Sequence, residues 1–148
     1  MAYLEQLYAD IRTVVGATWP EVLVNGIWES EHEKMVPWAD LTPPMAVICI
    51  SSVPVTPDWG VANQVYQPPT QVFYVGKVTG KSTSIRGKLE ALRDALIANT
   101  VPSTLCVLDV VELTWSDSLE ANVAILAKDY THRAGRLTVN VLAGTMAT

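Results

Sequence analysis

Ser82-Thr83-Ser84-Ile85-Arg86-Gly87-Lys88-Leu89-Glu90-Ala91-Leu92-Arg93-Asp94-Ala95-Leu96-Ile97-Ala98-Asn99 is the stretch on which the fold turns. Its apolar residues Ile85, Leu89, Leu92 and Leu96 recur at three- and four-residue steps, the spacing that puts them on one face of a helix. Ser82, Thr83 or Ser84 supplies a side-chain oxygen to cap the first turn, and Asn99 with Pro102 closes the last. A helix so placed, with strand-like runs before and after it, predicts an α+β domain.

Toward the N-terminus, Leu4, Leu7, Tyr8, Ile11, Val14 and Val15 form a second helical stripe over Tyr3 to Val15, with Gly16 as its stop. Glu21 to Trp28 reads as a first strand, weakened by Asn25 and Gly26. The charged run Glu29, Glu31, His32, Glu33, Lys34 and the prolines Pro37, Pro43 and Pro44 mark a solvent loop. Met45 to Val53 and Gln71 to Val78 are strands. Between them, the stretch from Pro54 to Pro69 holds four prolines with Trp59, Gly60 and Tyr66 and little periodicity, so it reads as a hairpin arm or an extended loop. Toward the C-terminus, Leu105 to Trp115 is a strand, followed by a turn at Asp117 and Ser118. Asn122 to Tyr130 fits both strand alternation and helical spacing; it is taken as a strand paired with Arg136 to Ala143 around a turn near Ala134 and Gly135. The sum is a mainly antiparallel sheet of about five or six strands with two principal helices packed on it, in one domain over residues 1–148.

The 148 residues suffice for one core, and 49% of them are hydrophobic. Charged residues make up 17%, below the roughly 25% of average domains, which points to surface covered by partners. No apolar run approaches the roughly 20 residues that span a bilayer, and Glu5 and Asp10 interrupt any signal-peptide pattern; a soluble chain made in the cytoplasm is expected. A net charge of −5 with scattered basic residues argues against gripping nucleic acid through its phosphates. Cys49 and Cys106 lie in apolar strand-like runs, where reduced thiols act as small hydrophobes; neither a disulfide framework nor a zinc site is indicated.

Few motifs carry chemistry. Gly76-Lys77-Val78-Thr79-Gly80-Lys81-Ser82-Thr83 looks like a phosphate-binding loop, but three residues separate its glycines where the P-loop needs four. Leu105 to Asp109, an apolar strand ending in an acid, would be its partner in a small nucleotide-binding enzyme; a plain turn and capped helix explain both pieces without a ligand. Glu29, Glu31, His32 and Glu33 are possible metal ligands, yet one imidazole is thin material for a metal shell and a solvated acidic face is the ordinary outcome. His132 fits a charged turn or an interface. No Gly-x-Ser-x-Gly elbow is present, so no catalytic residue, cofactor or metal is assigned. Trp19, Trp28, Trp38, Trp59 and Trp115 fall at element ends or in loops, where each can close the core. As a set with Tyr66 they also suit a protein contact, and Trp38, Trp59 and Tyr66 are the candidate interface residues.

The leading helix with Leu4, Leu7 and Ile11, the segment Lys88-Leu89-Glu90-Ala91-Leu92-Arg93-Asp94-Ala95-Leu96 just past mid-chain, and the closing strands around Tyr130-Thr131-His132-Arg133 resemble the tail terminator and tail-completion (neck) proteins of tailed bacteriophages. The resemblance covers most of the chain as element order and length. It implies a structural virion protein that assembles as a ring, usually of six, caps the finished tail tube and provides the surface joined to the head. Implied partners are other copies of the chain, the tail tube protein and the head-completion or stopper protein, with DNA passing through unbound and no membrane involved. A head-side stopper is the near alternative. On this reading the arm from Pro54 to Pro69 reaches over a neighbour or onto the tube, and Glu29, Glu31 and Glu33 are candidates to line the lumen, where like charge keeps phosphate from adhering.

Overall fold

The structure, a computed structural model, describes residues 3–51, 64–66, 69–77, 83–98, 106–114, 118–126 and 132–145. Helices α1 (Tyr3–Thr18), α2 (Val22–Asn25), α3 (Thr83–Ile97) and α4 (Glu120–Leu126) surround strands β1 (Ile27–Ser30), β2 (Met45–Ile50), β3 (Gln64–Tyr66), β4 (Thr70–Lys77), β5 (Cys106–Thr114) and β6 (His132–Thr145). The chain is α+β, and its sheet runs β1-β2-β4-β6, with β5 along the other side of β6. Every pairing is antiparallel except β1 with β2. β3 pairs with Ala143, Gly144 and Thr145 of β6 in the register β4 would have if prolonged. This places part of the expected proline-rich arm, residues 64–66, in the sheet; residues 52–63 lie outside the described residues.

Strand alternation sends side chains to two separate cores. Ala46, Ile48, Ile50, Val72, Tyr74, Leu137, Val139 and Val141 face α1 and α3, whose Leu7, Ile11, Val14, Val15, Ile85, Leu89, Leu92 and Leu96 are all buried. Met45, Val47, Cys49, Phe73, Val75 and Ala134 face the other way, against Val36 and Trp38 of the β1–β2 connection and Leu119, Ala121 and Ile125 at α4. β2 is buried at every position because both of its faces are covered.

Four readings from sequence need correcting, the first being Gly16, which does not stop the first helix but lies within α1, which runs on to Thr18. Glu21 to Trp28 is not one strand: Pro20, whose ring presets a helical φ, precedes α2, and Gly26, at φ 99°, ends it before β1 starts. The alternating Val22 and Val24 mislead, since only Val22 is buried. Likewise, the segment from Asn122 starts as helix α4, which buries Leu119, Ala121, Asn122 and Ile125 and exposes Val123; residues 127–131 lie outside the described residues. The supposed turn at Ala134 and Gly135 is instead the interior of β6, opposite Val75 and Tyr74 of β4.

Candidate functional site

The sheet ends in two dissimilar edges. Among the described residues no strand pairs with the outer side of β1 or of β5. Along β5 the ladder to β6 shifts register twice, between Val107 and Asp109 and between Val110 and Glu112, the kind of irregularity that blunts an edge against further pairing. β1 has an unbroken register with β2. Trp28 of β1 is 42% exposed, and Leu23 and Val24 (85%) of α2 before it and Met35 (68%) after it in the chain are exposed as well. Exposed large apolar side chains thus occur in β1 and on both sides of it in sequence.

What holds β1 in place is polar. The Tyr8 hydroxyl of α1 lies 2.8 Å from the Ser30 carbonyl and 3.1 Å from that of Ile50, and accepts from the Ile50 N–H at 3.3 Å, tying the ends of β1 and β2 to the helix. Burial raises the Tyr8 pKa, so the hydroxyl keeps its proton. Arg12, one turn further along α1, pairs with Glu29 of β1 through Nε at 2.7 Å.

The sequence-predicted site residues are scattered. Trp38 is buried: its ring meets Phe73 edge-on at 4.8 Å between centroids, and its Nε1–H donates to the Glu33 carbonyl at 2.8 Å. It therefore belongs to the subunit's own core and offers no exposed anchor. Tyr66 lies in β3, opposite Ala143; Trp59 falls outside the described residues. The acids do not share a face, because β1 stops at Ser30. Glu29 is neutralised by Arg12, and Glu31 lies exposed just past the strand. Glu33 turns inward toward Arg136 of β6, with 3.6 Å between Oε2 and the guanidinium, a charge contact too long for a hydrogen bond. Gly76 and Lys77 of the imperfect glycine loop are part of β4, and 78–82 lie outside the described residues. Sequence reasoning missed Leu23, Val24 and Met35.

Two cavities border the connection from β1 to β2. One of about 40 Å³ is lined by Trp38, Leu41, Pro43, Val75, Ile125 and His132; one of about 130 Å³ by Glu31, His32, Glu33, Cys49, Ser51 and Gln71. Both are well below the roughly 300–1,000 Å³ of small-molecule sites. Among the described residues no group of three or more His, Cys, Asp or Glu could hold a metal ion, and no helix is long and apolar enough to cross a membrane. Burial and then the Glu33 carboxylate push the Cys49 thiol up to about 12, far from the thiolate that reacts. In a Cys106→Ser background, Cys49 should thus resist a thiol-specific disulfide reagent at pH 8 and become titratable in denaturant; fast labelling of the native protein would contradict its placement.

Where α1 and α2 turn toward α3, a polar cluster closes the first core. Lys88 Nζ donates to Glu21 at 2.7 Å, the Tyr74 hydroxyl lies 3.4 Å from the same oxygen, and the Trp19 Nε1–H donates to the Lys88 carbonyl at 2.9 Å. Burial raises the Glu21 pKa, but the Lys88 hydrogen bond and charge and the Tyr74 hydroxyl outweigh it and hold the carboxyl below its ordinary 4.5. A depressed folded-state value stabilises above the unfolded pKa, and that contribution is lost as pH falls through the folded value. Urea midpoints should accordingly fall more steeply with acid below about pH 4.5 in the native chain than in Glu21→Gln; parallel profiles would show that the cluster contributes nothing.

Compared with known proteins, the chain matches no family model and no curated protein sequence.

Proposed function

We propose that this chain is a structural subunit that assembles with copies of itself into a ring, in the manner of a phage tail terminator that caps the tail tube and offers the surface to which the head joins. The observation that carries the reading is β1, whose outer side pairs with no strand among the described residues and whose Trp28 is half exposed. Leu23, Val24 and Met35, near β1 in sequence, are exposed as well, and an unpaired strand side can accept another strand. In a closed ring each subunit presents two different surfaces, one to each neighbour, and a sheet with unlike edges supplies such a pair. A low charged fraction suits that extent of contact. On this reading the subunit works in the virion neck after assembly in the host cytoplasm, and performs no bond chemistry. DNA passes through it without specific contacts. Of the three acids considered for the lumen, Glu29 and Glu31 are exposed, Glu29 with Arg12 beside it, while Glu33 is turned toward Arg136.

Light scattering on the purified chain, alone and mixed with tail tubes, tests the reading. The expected result is a mass several times that of the 16.1 kDa chain in at least one condition. Val24→Glu with Trp28→Lys, both at exposed positions, should return it to a monomer with unchanged circular dichroism. A native chain that is monomeric in both conditions, or a double variant that assembles as well as the native chain, would overturn it.

A further inference from the structure

We draw no further inference here: the strongest candidate, the cavity of about 130 Å³ between the Glu31–Glu33 turn and the ends of β2 and β4, carries nothing because Arg136 already answers the charge of its most buried acid and nothing in the structure shows what would fill it.

Discussion

Asn122→Ala is expected to lower the unfolding free energy by about 2–4 kcal/mol, near the top of the range for a single polar side chain. Asn122 is fully buried, and its amide pairs with one residue of β6 twice: Nδ2 donates to the Ala134 carbonyl at 2.8 Å, and Oδ1 accepts from the Ala134 N–H at 2.7 Å. The reason lies in the ladder. Among the described residues β5 pairs with β6 between Arg136 and Leu142, and at Ala134, on the side of β6 away from β4, the Asn122 side chain of α4 makes the bonds a strand would make. Alanine leaves a buried N–H and a buried C=O without these partners, each costing about 1–3 kcal/mol. Asn122→Asp separates the two bonds, since a carboxylate still accepts from the N–H but cannot donate to the carbonyl. Urea denaturation should rank native above both variants. A loss under about 0.5 kcal/mol for the alanine variant, the level of an ordinary surface change, would refute the substitute-strand role.

Gly135→Val should be comparably damaging for a steric reason. A Cβ at Gly135 would lie 2.6 Å from Leu89 Cδ1 and 2.9 Å from Ile85 Cγ2, both on the buried face of α3. The absence of a side chain lets the helix sit down on the sheet. Valine is otherwise favoured in a strand, a gain of at most about 1 kcal/mol, whereas overpacking a filled core costs about 1–3 kcal/mol and occasionally more. Packing wins, and a net loss near 2 kcal/mol is expected from thermal or chemical melts. Leu89→Ala supplies the control. Alone it is destabilising by about 2–5 kcal/mol, but combined with Gly135→Val it should cost less than the two losses added, because valine fills space the leucine vacates. Strict additivity would mean that the two sites do not meet.

Periodicity revealed the parts of this fold in which one face of an element is buried and the other wet. Ile85, Leu89, Leu92 and Leu96 were legible as the inner face of α3, and all four are buried. The strands around Met45 and Val72 were legible for a different reason, as runs of β-branched and aromatic residues bounded by proline or glycine. What misled was short-range alternation in segments decided by tertiary contacts. Val22 and Val24 read as a strand, although Pro20 and Gly26 confine them to a single helical turn. Val123, Ile125 and Ala127 also read as a strand; the deciding residue was Asn122, whose two bonds to a chain position twelve residues away have no local signature. Of the tryptophans read as interface candidates, Trp38 is buried and Trp59 lies outside the described residues. Trp38 went into the core because Phe73 and the Glu33 carbonyl receive it, while Trp28 of β1 is 42% exposed.

β6 has a mechanical consequence. At 14 residues it is about 45 Å long, outruns the six residues of β2, and is laced to β4 along one flank and to β5 along the other. Tension applied along its axis is met in shear, with many crosswise bonds loaded together, instead of being peeled open one rung at a time.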